Sequence, residues 1–456
     1  MQRRVTETTA RFILALIALA CSSTGPLAGA QEPPIPLFTV LSGPPTEALS
    51  NAVTPAQDAK KPWVRSRRSI RLAQTALERL RQADKEAAVE FTLDLPRLGI
   101  VTTTVRSRGF SKRNSQVQVW HGSLKHMADS DMTLVVRGSD VAASIRKGQT
   151  IYEIRPSTIG PQLIEIDADR LPSDHHPIPV SREEMTSSDA STSPAAPGST
   201  PAVASDNGST IDVMVLYTTA AKDANGGQNG IEALINLGIS LANQAFTNSQ
   251  INTQFNLVHT AEVSYQESGS YNTDLSRLRN TSDGFMDEVH GWRNQYKADL
   301  VALVEDNLGG ACGVAYVMTN VNTGFAPWAF SVTQDSCISG YTLAHELGHN
   351  MGSQHDRLEG GTGAYPYSFG HKEGGQFRTI MAYPCSPSCA RINHFSNPNV
   401  LYQGSWRTGV DHNVDPANSA DNARAFSNAL NTIANFRNSG DTTAPPAPAN
   451  LRIISP

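Results

Sequence analysis

The stretch HELGHNMGSQHD, from His345 to Asp356, places three histidines, a glutamate and a glycine in one short run. On a helix, residues four apart lie on the same face, so His345 and His349 direct their imidazoles at a common point. Glu346 lies beside that point but off the ligand axis, where a carboxylate takes a proton from water instead of binding a metal. Gly352 lets the chain leave the helix through a left-handed turn that a residue with a Cβ resists, and the reversal brings His355 back as a third ligand. Three histidines around an open fourth position is the arrangement of a catalytic zinc site. The full spacing H-E-x-x-H-x-x-G-x-x-H is far more specific than its first five residues alone.

The rest of the chain sets the context. Its 456 residues predict two or three structural units with ample length for a core. A net charge of −5 gives no reason to expect nucleic acid. From Ser209 onward 21 acidic residues stand against 13 basic ones, while the part before is slightly basic, so the two parts could attract one another. The N-terminus carries Arg3, Arg4 and Arg11 ahead of an apolar run from Phe12 to Ala20. This run falls short of the roughly 20 residues that span a bilayer and fits a secretory signal peptide over residues 1–30, with cleavage before Gln31. A lipid anchor at Cys21 is the alternative, although Ala18 and Leu19 suit it poorly. No other segment is long and apolar enough for a membrane, so a secreted protein is expected. Cys312, Cys337, Cys385 and Cys389 form an even set, which in an exported chain reads as two disulfides. Three pairings are open; Cys312 with Cys337 and Cys385 with Cys389 is favoured.

Residues 31–185 show strand-like pieces such as FTLDL, TLVVRG and TIYEIRP, and a helical stretch from Ser66 to Glu90. They read as an α+β unit of their own. Residues 186–210 are rich in Ser, Thr, Pro and Ala, lack aromatics, and read as a disordered linker open to proteolysis. Residues 211–438 open with the strand IDVMVLYT, followed by a helix near Ile231–Asn248 with Ile231, Leu234, Ile235, Ile239 and Leu241 on its apolar side. NTQFNLVHTAEVSY, ADLVALVED, GACGVAYV and FAPWAFSVTQ read as strands, the last two near the sheet edge, with a helix around Asp283–Tyr296 between the first two. This alternation predicts an α/β domain with a mixed, mostly parallel sheet, then an irregular lower part ending in a helix from about Ala420 to Arg437. Residues 439–456 are a tail too short to fold.

The histidine motif, together with TIMAYP around Met381, resembles the metzincin superfamily of zinc endopeptidases, in which a methionine turn lies beneath the metal. The resemblance covers roughly Ile211 to Arg437 and implies that Met381 is that methionine. Asp356, directly after the third histidine, resembles the reprolysin-like members, where it orients nearby backbone. Tyr383 stands where astacins and serralysins keep a tyrosine near the zinc. With IDVMVLYT and RINHFSNPNV, the mixture looks most like the bacterial peptidyl-Asp metalloendopeptidases, which cut on the N-terminal side of aspartate.

The resemblance implies Zn2+ as cofactor, protein or peptide substrates, and hydrolysis in which Glu346 is the general base and Tyr383 supports the oxyanion. An aspartate pocket needs a cation. Because that pocket is walled by the segment after the methionine turn, Arg391 is the first choice, with Arg378 and Lys372 behind it. Residues 31–185 then resemble a propeptide, the chain's own partner in a zymogen. No cysteine lies there to block the metal, so latency would use another group; Asp140 is one candidate carboxylate. The competing readings are a metzincin of broad specificity and a catalytically silent zinc-stabilised binding module. The presence of Glu346, which a mere zinc scaffold does not need, speaks against the second.

Overall fold

The computed structural model describes residues 33–41, 61–83, 87–110, 117–188 and 206–439. The expected signal peptide, Asp189 and most of the linker, and residues 440–456 lie outside them. The N-terminal part builds one ten-stranded sheet. Its strands are β1 (Ile35–Pro36), β2 (Phe38–Val40), β3 (Val64–Leu72), β4 (Ala88–Leu95), β5 (Gly99–Phe110), β6 (Val117–Leu124), β7 (Ser130–Arg137), β8 (Asp140–Lys147), β9 (Thr150–Arg155) and β10 (Gln162–Asp167). From β4 to β10 each strand pairs antiparallel with the next, as a meander does.

The expected helix from Ser66 to Glu90 is shorter than its composition suggested. Val64–Leu72 is a strand, and only α1 (Gln74–Gln82) is helical. The arginines of VRSRRSIRL misled the reading, because sheet partners absorb them: Arg65 pairs with Asp167 at 2.7 Å on neighbouring β10. Asp140 sits opposite Arg137 in the β7–β8 turn, outside the cavity that Asp174, Thr342 and Arg391 line.

The second sheet has six strands in the order β11-β15-β16-β14-β12-β13. These are β11 (Ile178–Val180), β12 (Ile211–Thr218), β13 (Phe255–Val263), β14 (Leu300–Glu305), β15 (Gly313–Met318) and β16 (Phe330–Gln334). Every residue of β12 and β14 is buried, as expected of parallel strands covered on both faces. β15 runs antiparallel to β16, while all other pairs are parallel. FAPW is not strand but a 3-10 turn carrying Pro327, and β16 lies inside the sheet, two strands in from the β11 edge. The helices are α2 (Arg182–Ser188), α3 (Thr219–Ala224), α4 (Gln228–Asn248), α5 (Tyr271–Arg279), α6 (Glu288–Tyr296), α7 (Thr342–Asn350) and α8 (Asn422–Ile433). Among the described residues no helix is long and apolar enough to cross a membrane.

Two features join the parts. Helix α4 is buried nearly all round, beyond the single apolar face its sequence suggested, because it touches β7 and β8 on one side and β13 and α7 on the other. Val117, Val135, Ala142, Val180 and Met185 accordingly share one apolar cluster with β12 and β14. Ion pairs cross the same boundary, with basic groups before the linker meeting acidic ones after it: Lys61 with Asp306 at 3.1 Å, Arg137 with Glu232, and Arg155 with Asp335 at 3.3 Å.

Arg155 is 8% exposed and lies between Glu153 and Asp335, both fully buried. Its removal strands two carboxylates, so Arg155→Ala is expected to cost the full-length chain about 3–5 kcal/mol. A urea unfolding midpoint unchanged from wild type would contradict this.

Candidate active site

Helix α7 carries His345, Glu346 and His349, all fully buried. Asn350 fixes its end, donating from Nδ2 to the carbonyls of Tyr316 on β15 (2.8 Å) and Phe330 on β16 (3.1 Å). The helix stops at Gly352, whose φ is +95°, while Ser353 N donates to Gly348 O at 3.0 Å. The chain reverses there into the strand Gln354–Asp356, which returns His355 to the helix face. The three Nε2 atoms then lie 3.0, 3.1 and 3.2 Å apart.

The tautomer of His349 follows from its opposite ring nitrogen. His349 Nδ1 donates to Ser353 O at 2.7 Å, which leaves its Nε2 bare, while His345 Nδ1 lies 2.8 Å from Ile380 O and 2.6 Å from Arg391 Nη2. Burial lowers the pKa of all three histidines, that of His345 to about 4, and so favours neutral imidazoles. Bare lone pairs converging at 3 Å are unfavourable unless a cation sits among them, so the donor set fits a metal. Both Glu346 oxygens are buried without a hydrogen-bond partner, and burial, then Asp174, holds this carboxyl far above its usual range. Gly313 on β15 makes room for it, since a Cβ there would lie 2.5 Å from Glu346 Oε1.

Met381 packs under the helix, where a Cβ on Gly348 would come 2.7 Å from its sulfur. The half-buried Tyr383 lays its ring 4.0 Å from that of His355, and burial keeps its hydroxyl protonated. Asp356 turns away from the metal point. Its Oδ2 accepts from Tyr383 N at 3.0 Å and from Lys372 Nζ at 2.9 Å, and its Oδ1 from Leu358 N at 3.2 Å. The disulfides are Cys312–Cys337 and Cys385–Cys389, the favoured pairing; the first ties the approach to β15 to the turn before α7.

The three candidate cations are neighbours. In a small three-stranded sheet Lys372 pairs with Arg378, and Arg378 with Arg391. Lys372 is engaged by Asp356. Arg378 is half-buried, donates to Ala382 O at 2.7 Å, and has a pKa lowered to about 9 by desolvation and then by Arg391. Arg391, 6% exposed, donates from Nε to Ile380 O at 2.8 Å and from Nη1 to Gly340 O at 3.2 Å. Its Nη2 meets the Asp174 carboxylate at 2.8 Å.

Asp174, together with Thr342 and Gly313, is what the sequence reading missed. Its segment, LPSDHHPIPV, showed only an aspartate and two histidines between prolines, with no spacing that names a role. Burial alone would raise its carboxyl, but Arg391, His345, Thr342 and Arg378 outweigh burial and hold it well below the usual range.

A Cβ at position 352 would lie 2.5 Å from Ala364 Cβ and 3.1 Å from Met318 O. Gly352→Ala should therefore lose about 1–3 kcal/mol from the backbone conformation alone. It should also bind zinc more weakly, because His355 follows that turn. Thermal unfolding with and without a chelator reads both effects, and wild-type values in each would refute the role of the turn.

A sequence model of metallopeptidase family M12 matches residues 207–396. Over 381 residues the chain is 34% identical to a peptidyl-Asp metalloendopeptidase of Stenotrophomonas maltophilia, covering 78% of this chain and 85% of that one. It is 33% identical over 337 residues to one from Xanthomonas campestris pv. campestris, covering 70% and 76%. A shorter match, 31% over 198 residues, reaches the Pseudomonas fragi protein of the same name, covering 43% of this chain and 99% of that one. With a histidine cluster suited to zinc and an unpartnered glutamate beside it, the chain belongs to the peptidyl-Asp metalloendopeptidases and is a zinc metalloendopeptidase.

Proposed function

We propose that this endopeptidase is exported as a zymogen and cuts peptide bonds on the N-terminal side of aspartate. In this reading residues 1–30 are a signal peptide, 31–185 a propeptide, 186–210 a linker cut on maturation, and 211–438 the catalytic domain. The observation that carries it is the buried Glu346, unpartnered beside the Nε2 triangle, with Arg391 behind His345. His345, His349 and His355 are the zinc ligands. Zinc, when bound there, lowers the pKa of water to about 7 and polarises a carbonyl.

The protein's own groups do the rest. Glu346 takes the proton of the attacking water and passes it to the leaving amine. Tyr383 donates a hydrogen bond to the developing oxyanion; its hydroxyl already holds a backbone carbonyl, that of Asp174, at 2.6 Å. Arg391 receives the carboxylate of the substrate's aspartate, and Asp356 and Met381 position the turn on which Tyr383 stands. Asp206, a possible maturation site, has 4% of its surface exposed and accepts from Ser439 N at 2.9 Å, so a cut just before it requires that contact to open first.

Glu346→Gln should lower kcat by about 10²–10⁴-fold with zinc content unchanged by elemental analysis, since the ligands are untouched. Substantial turnover at full zinc occupancy would remove Glu346 from the role of base. Arg391→Lys should reduce kcat/KM for peptides with Asp after the cut by about tenfold more than for matched Asn peptides, because an ammonium lacks the fork that holds the Ile380 and Gly340 carbonyls while it meets a carboxylate. An unaltered Asp-to-Asn ratio would exclude Arg391 as the specificity residue. Mass spectrometry of products from one denatured protein tests the preference itself.

A further inference from the structure

The segment between β10 and β11 runs across the site. Ser173 O accepts from Cys312 N at 3.1 Å and His175 N donates to Gly313 O at 2.8 Å, after which β11 pairs in parallel with β15. The His175 ring lies 4.0 Å from that of Tyr271, tilted by 33°, and the His176 ring lies 5.3 Å from that of His355. Between the anchors Asp174 turns inward and is 6% exposed. Its Oδ1 accepts from Thr342 Oγ1 at 2.9 Å and its Oδ2 from Arg391 Nη2 at 2.8 Å, in a cavity also lined by Arg378 and Tyr383. No other carboxylate pairs with Arg391 among the described residues.

We infer that Asp174 is the chain's own stand-in for a substrate aspartate: it fills the pocket formed by Arg391, Thr342 and Arg378 and keeps the uncut chain inactive. The inference rests on the aspartate-directed reading above. It adds Thr342 as a specificity contact, because a hydroxyl donor opposite the guanidinium engages the second oxygen of a carboxylate and leaves none unpaired.

The geometry also explains why the segment survives in the site. An enzyme that cuts before aspartate would have to place the Ser173 carbonyl at Tyr383 and Glu346. That carbonyl instead points to Cys312 N on the sheet edge. The carbonyl presented to Tyr383 is that of Asp174 itself, at 2.6 Å, which belongs to the bond on the other side of the aspartate. The pocket is filled while the bond that matches the specificity is turned away.

The test uses the full-length chain and a fluorogenic peptide with a single Asp. Activity is read while intact mass shows the linker uncut, as a fraction of the activity of the same preparation after it matures. Wild type should be nearly silent before the cut. Asp174→Asn keeps the shape and removes the charge, and should raise that fraction by about tenfold or more, as expected when a charge-assisted hydrogen bond is lost. Thr342→Val should raise it less, and it decides the matter if Asp174→Asn folds poorly. In the matured form Thr342→Val should also narrow the preference for Asp over Asn. Intact Asp174→Asn and Thr342→Val chains as silent as wild type, from a matured enzyme that does prefer Asp, would overturn this inference alone. A matured wild type that cuts Asp and Asn peptides equally would overturn the specificity reading and this inference with it.

Discussion

Three unprotonated imidazole nitrogens 3.0–3.2 Å apart, one of them bared by the carbonyl its opposite nitrogen engages, repel one another until a cation joins them. Much of the surrounding structure serves to hold that arrangement before the cation arrives. The carbonyl of Ile380 orients His345 and also accepts from Arg391, so the metal point and the pocket share one backbone oxygen. The carbonyl of Ser353 orients His349 from within the turn that Gly352 permits. Asn350 fastens the helix end to the two strands beside it. A side chain at position 313 would displace Glu346, so the strand β15 and this carboxyl are fitted to each other.

The row of Lys372, Arg378 and Arg391 across three short strands is a second constraint. Like charges directly opposite one another destabilise a sheet. Here Asp356 answers one end of the row and Asp174 the other, while half-buried Arg378 makes do with a carbonyl. The row is thus a local cluster of positive charge in a part of the chain that is acidic overall.

What the sequence made legible was whatever a fixed local spacing encodes. The histidines, Glu346 and Gly352 lie within one helix and its turn, and period and turn chemistry place them without knowledge of the rest. The buried strands IDVMVLYT and LVALVE were legible for the same reason, as apolar runs bounded by polar ones. The helix over Ser66–Glu90 was misread because helix-favouring arginines also suit a strand whose partners are acidic. The all-round burial of α4 depends on a second sheet more than 80 residues earlier in the chain, which no local period reports. Asp174 was missed because its meaning lies in Arg391, 217 residues away.

The pairing of β11 with β15 has one more consequence. Without β11, β15 would end its sheet, and a bare terminal strand offers its amides and carbonyls to any extended chain, a second copy of the same protein included. From Cys312 to Met318 that row is covered by the chain's own residues 173–180. The covering therefore also acts against self-association: full-length chains cannot join edge to edge along β15. A form stripped of the covering would bare six residues of strand, enough to grip a short peptide and too few to template a long ladder.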